Sequence, residues 1–160
     1  MNKFLISLIY LAVIGLASFF IAWLFPKRWF SYNKFPYRST NPEKEDRLYA
    51  SLGVKEWKEK LPDMSKIFTK IMPTKRLPEK ITASNIELMV QETCIAELVH
   101  RVLVVLGFGC VFIFDTAAGW IVSELYALGN LPFIIIQRFN RPKLVRMLNR
   151  LRGKEVELRA

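Results

Sequence analysis

"LVHRVLVVLGFGCVFIFDTAAGWIVSELYALGNLPFIIIQ", residues 98–137, decides the fold. It holds two apolar blocks, at about 98–114 and 117–136, on either side of the short turn "DTAAG". Each block has the length and composition of a membrane helix, so the pair reads as a helical hairpin in a bilayer. Towards the N-terminus lies a third apolar run, "FLISLIYLAVIGLASFFIAWLF" (4–25), 22 residues without a charge. As a helix it is about 33 Å long, the thickness of a hydrocarbon core. It lacks the small-x-small cleavage site of a signal peptide, and the "PKRW" that follows reads as an interfacial stop. The expected fold is therefore an all-α membrane protein with three transmembrane helices, one N-terminal span plus a C-terminal helical hairpin. A cytoplasmic or interfacial helical segment lies between them. The 160 residues form a single membrane domain with a first span at 4–25, a segment at 26–92, a second span at 93–114, a third at 117–137 and a basic tail at 138–160.

The net charge of +10 is distributed as membrane topology would place it, which argues against nucleic acid as a partner. Residues 26–97 carry 14 Lys and Arg against 10 acids, and residues 138–160 carry 8 against 2. Only Lys3 precedes the first span, and the hairpin turn has Asp115 and no basic residue. The positive-inside rule then places the N-terminus outside and both the middle segment and the tail in the cytoplasm of a multi-pass cell-membrane protein. Leu144, Val145, Leu148 and Leu151 recur at helical spacing among basic residues, so the tail is expected to lie along the anionic inner leaflet. Cys94 and Cys110, 16 residues apart on what reads as one helix, are too far apart for a disulfide.

Six prolines between Pro26 and Pro78 break the middle segment into short helices and turns. "NPEKEDRLYASLG" (41–53) reads as one helix, with Asn41 as N-cap, Pro42 at the first position, acids in the first turn and Gly53 as the stop. "VKEWKEKLPD" (54–63) aligns Val54, Trp57 and Leu61 among lysines. It suits either a helix on the membrane surface or a substrate contact through Trp57. Thr82 or Ser84 caps a further helix, with Glu87 completing a capping box with Ser84, and the pattern runs on as one long helix over 85–114.

The chemistry gathers where this helix meets the third span. "QETCIAELVHR" (91–101) carries Glu92, Glu97, Arg101 and the single histidine, His100. By helical rise, His100 lies about 21 Å below the outer turn, level with a point between Asn130 (about 16 Å) and Gln137 (about 27 Å) on the third span. Glu97 lies near the level of Gln137. Three residues separate Glu97 from His100, so the two can touch. Glu97 is thus the expected partner of His100: a carboxylate beside an imidazole orients the ring and favours its protonated form, as an orienting acid does for a general base. Pro132 frees a backbone carbonyl beside Gly129 and Asn130, which can open a slot next to His100.

Blander readings exist. Glu97 and Arg101 also suit a plain interfacial salt bridge. Glu97-x-x-His100 is half of a di-iron motif, but one histidine cannot complete that site, so no metal is expected. A nucleophile elbow, a phosphate-cradling glycine loop and a dinucleotide fingerprint are all missing from the sequence.

"ETCIAELVH" (92–100) resembles the Glu-Thr-x-x-Ala-Glu-Leu-x-His block of the glycosyl-4,4'-diaponeurosporenoate acyltransferases, small membrane enzymes of staphyloxanthin-type carotenoid synthesis. "NLPFIIIQRFNRPKL" (130–144) is similar to that family's Asn-x-Pro…Gln-Arg-x-Asn-Arg-Pro block, and "RLYASLGVKEWKEKLPD" (47–63) to its Leu-Gly-Val-x-x-Trp-Lys block. Ile95 stands where relatives often carry a basic residue, and Lys143 where Arg is common. The resemblance implies an O-acyltransferase moving a fatty acyl group to a hydroxyl of a glycosylated lipid, such as a glycosyl carotenoid. Acyl-CoA is the expected co-substrate, with no resident cofactor. On this reading His100 is the base and Glu97 its catalytic partner. Gln137, Asn140 or an arginine stabilises the oxyanion, while Arg138, Arg141 and Lys143 meet the donor's phosphates. Glu92 and Thr93 position the helix or the sugar, and Asn130 and Trp57 line the substrate path. The expected partners are membrane lipids, the acyl donor and the lipid acceptor. Two alternatives predict different products: a non-catalytic lipid-binding or scaffold protein, and a metal-dependent lipid oxidoreductase assembled by oligomerisation.

Overall fold

The computed structural model describes residues 2–61, 81–114 and 116–157. Among them every regular element is helical. Helix α1 spans Lys3–Leu24, α2 Pro42–Ser51, α3 Val54–Trp57, α4 Ala83–Gly107, α5 Cys110–Ile113 and α6 Ala117–Glu157. Three stretches are long and apolar enough to cross a bilayer: Lys3–Ala22, Ala83–Ile113 and Ala117–Lys154. The chain is thus all-α with three potential spans, as the hydropathy pattern implies. Asp115 and residues 62–80, where further turns were expected, lie outside the described residues.

Contacts divide the chain into two units, residues 1–38 with 91–138, and residues 39–90 with 139–160. In the first, the Asn2 side chain accepts the Phe4 amide at 3.0 Å to open α1. Phe25, ahead of Pro26, is extended and closes it. The residues that follow fold onto α4: Phe30, Tyr37 and Cys94 form a buried cluster against Tyr32, Ile95 and Leu98. The sequence pattern runs unbroken to Phe114, but α4 stops at Gly107 and α5 begins only at Cys110. Close packing at two glycines accompanies the break. A Cβ on Gly107 would sit 2.5 Å from Cδ1 of Tyr126, and one on Gly109 would strike the Tyr10 hydroxyl. The carbonyls at the end of α4 find donors on the other spans. The Tyr10 hydroxyl donates to Leu106 O at 2.7 Å, and Ser123 Oγ to Gly107 O at 3.1 Å. All three long helices therefore meet at this break. The two cysteines are both buried, one on α4 and the other on α5, and no disulfide joins them.

Polarity in this unit is inverted relative to a water-soluble core. Val105 is 70% exposed and Phe112 89%, whereas Ser7, Thr93, Glu97, Ser123, Asn130 and Gln137 are buried. Apolar surfaces facing outward around a polar interior are what hydrocarbon solvent selects.

In the second unit, the Asn41 side chain accepts the Lys44 amide at 3.0 Å, Pro42 begins α2, and Gly53 at φ +59° ends it. The stretch after Gly53 is shorter than the surface helix the sequence suggests: one α turn, then a 3₁₀ turn over Lys58–Lys60. Leu61, which precedes a proline, is already extended. Thr82 Oγ1 accepts the Asn85 amide at 3.3 Å at the start of α4. The tail also departs from expectation. It continues α6 as helix through Pro142, and Leu148 is fully buried with Ala83 and Ile86, flanked by Leu144, Met147 and Leu151. The start of α4 thus covers Leu148 on the tail's apolar stripe.

Candidate functional site

The first unit holds the polar cluster. Along α4 and α6 the contacts Gly107–Ser123, His100–Asn130, His100–Phe133 and Glu97–Arg138 step in opposite directions, which defines an antiparallel hairpin. The depth expected for His100, between Asn130 and Gln137, is where the ring lies.

His100 Nδ1 is 2.9 Å from Asn130 Oδ1, so an amide on α6 orients the ring. The Asn130 Nδ2 donates to Tyr126 O at 2.8 Å, which fixes the amide with its oxygen towards the ring. That oxygen can only accept, so Nδ1 carries the proton and Nε2 is the basic nitrogen. Phe133 stacks on the imidazole at 4.8 Å with 10° between planes, holding the ring's tilt.

Glu97 is fully buried, and its Oε1 accepts from Arg101 on the same helix and from Arg138 at 3.2 Å across the hairpin. A buried carboxylate gains strongly from guanidinium groups within reach. Arg138 also donates to Pro36 O at 3.4 Å, tying α6 to the stretch after α1. Glu92 pairs with Lys27 at 2.6 Å at a half-exposed position. Thr93 and Gln137 are buried in this unit.

The remaining sequence-selected residues belong to the second unit. Arg141 is buried there, Asn140 is half-buried, and the Trp57 indole N–H donates to Leu52 O at 2.9 Å. Phe133 and Lys27 were missed by sequence reasoning. Phe133 lies three residues after Asn130, hence on the same helix face, a signal that was available. Lys27 lies 65 residues from its partner and carries no such signal. Among the described residues no three His, Cys, Asp or Glu side chains converge as metal ligands.

Comparison with known proteins gives this geometry a family. A profile described as glycosyl-4,4'-diaponeurosporenoate acyltransferase matches residues 26–150. Proteins of that name from Staphylococcus aureus strains Newman and MRSA252 are each 31% identical over 133 residues, covering 81% of this chain and 78% of theirs. The strain COL protein is 30% identical over the same length. No solved structure matches. The chain belongs to the glycosyl-4,4'-diaponeurosporenoate acyltransferase family, and its class is that of an acyltransferase.

Proposed function

We propose that this protein transfers a fatty acyl group from acyl-CoA to a hydroxyl of a glycosylated lipid, such as a glycosyl carotenoid. The observation that carries the reading is the His100 ring, held by Asn130 at Nδ1 and by Phe133 on its face, with a guanidinium-clamped carboxylate one turn away. In this mechanism Nε2 of His100 takes the acceptor hydroxyl's proton as the oxygen attacks the thioester carbonyl. The C–O bond forms, the tetrahedral intermediate collapses, the C–S bond breaks, and the imidazolium returns the proton to the thiolate. Base assistance of this kind is worth about 10²–10⁴-fold. Asn130 acts through its dipole: it fixes the tautomer and stabilises the imidazolium without a formal charge. Glu97 holds Arg138, whose positive charge stabilises the oxyanion, an effect of roughly 10²–10³-fold. Gln137 adds an amide beside it in sequence, and Glu92 and Thr93 position the α4 backbone.

The topology that suits this chemistry has the N-terminus outside and the middle segment and tail in the cytoplasm, where acyl-CoA is present. The test uses purified protein in nanodiscs with acyl-CoA and a glycosylated carotenoid, read by mass spectrometry. His100→Ala should lower turnover by at least about 100-fold without loss of folded protein. Undiminished product from that variant, or none from the wild type with any acyl donor, rejects the mechanism. The second outcome leaves a non-catalytic lipid-binding protein.

A further inference from the structure

A cleft of about 340 Å³ opens in the second unit between α2, α3 and α6. Asp46 and Tyr49 line it from α2, Lys55 from α3, and Phe139, Lys143 and Arg146 from α6. We propose that this cleft binds the phosphates of the coenzyme A head of the acyl donor. The inference rests on the acyl-CoA reading above and moves the phosphate contacts away from Arg138, assigned above to the oxyanion, and from Arg141, which is buried.

Unneutralised charge carries the argument. Among the described residues, none of Lys55, Lys143 or Arg146 reaches a carboxylate within ion-pair distance, although Asp46 and Glu56 also line the cleft. Lys58, itself paired with Glu59 at 3.5 Å, repels the Lys143 ammonium, Asp46 attracts it, and Arg146 and Lys55 add weaker repulsion. Lys143 Nζ instead sits 3.5 Å from the centroid of the Phe139 ring, with Lys58 Nζ at 5.3 Å from the same centroid. A ring quadrupole is a weak substitute for an anion. Phe139 is held in turn by Tyr49, edge-on at 6.1 Å and 88°. Cations crowded around a rigid aromatic floor, at a cost that a bound anion removes, describe a phosphate subsite. The volume lies at the small end for ligand pockets, enough for phosphate groups and too small for an acyl chain as well.

The test measures binding of acyl-free coenzyme A to the full-length protein in nanodiscs of zwitterionic lipid. The variants are Lys143→Ala and the double variant Lys55→Ala/Arg146→Ala, with Lys143→Arg as the charge-retaining control. Loss of each charge-assisted contact should weaken binding about tenfold, lower the salt dependence and raise KM for acyl-CoA at constant kcat, while Lys143→Arg stays near wild type. Coenzyme A binding unchanged in both Ala variants overturns the cleft assignment and leaves the acyl-CoA donor intact. Failure of the wild type to bind coenzyme A or to use acyl-CoA overturns both. A subsite for lipid headgroups would respond instead to phosphatidylglycerol in the nanodisc: variants weakened only for that lipid also overturn the proposal.

Discussion

Glu97 is a fully buried carboxylate, and the two arginines that donate to it are expected to contribute unequally. Replacing it with Ala removes the carboxylate that two guanidinium groups share. Removing one member of a buried pair costs about 3–5 kcal/mol. Here the arginine side chains retain 37% exposure at Arg101 and 20% at Arg138, so both recover some hydration and the lower figure applies. Glu97→Ala should therefore cost about 3 kcal/mol, and Arg138→Ala about 2 kcal/mol because Glu97 keeps Arg101. Arg101→Ala should cost under about 1 kcal/mol, since its pairing is an i,i+4 contact on one helix at a half-exposed position. Thermal unfolding in detergent, followed by tryptophan fluorescence, reads these at roughly 2–4 °C per kcal/mol for a chain of this size. Double-mutant cycles separate the pairs: about 1.5 kcal/mol of coupling for Glu97–Arg138 against about 0.5 for Glu97–Arg101. Equal coupling in the two cycles, or an Arg101→Ala loss as large as that of Arg138→Ala, would refute the view that the carboxylate's main work is to tie the hairpin together.

Two further outcomes follow from local geometry. A Cβ at Gly119 would meet backbone atoms of Phe114 and Val111 at 2.9 Å, which cannot move aside as a side chain can, whereas Gly129 has open space around it. Gly119→Ala should destabilise by about 1–3 kcal/mol and Gly129→Ala should be neutral or stabilise by up to about 1 kcal/mol, checked by the same melting assay. Asn41→Ala removes the side-chain acceptor for the Lys44 amide and should cost about 1 kcal/mol, visible as faster amide exchange in the first turn of α2.

The three potential spans, the hairpin and the α2 caps were legible in the residues themselves because they rest on local physics: apolar length, a polar turn, and the donor and acceptor chemistry of Asn41, Pro42 and Gly53. The depth of His100 was legible for the same reason, since a fixed rise per residue places it between Asn130 and Gln137. The Glu97–Arg101 pair was legible from its i,i+4 spacing, but the pairing across the hairpin was not. Periodicity puts Glu97 beside His100 and Arg101 on one helix, but it cannot weigh them against Arg138, 41 residues away, whose guanidinium only the folded hairpin supplies. The break at Gly107 was equally hidden, because it goes with Tyr10, Ser123 and Tyr126 arriving from two other helices. The tail's apolar stripe was plain in the residues, but the packing of Leu148 on Ile86 came only with the tertiary structure. Sequence by itself determined which groups are costly to leave unpaired, and the tertiary structure alone decided which of the competing partners takes each one, because that choice depends on distances between segments far apart in the chain.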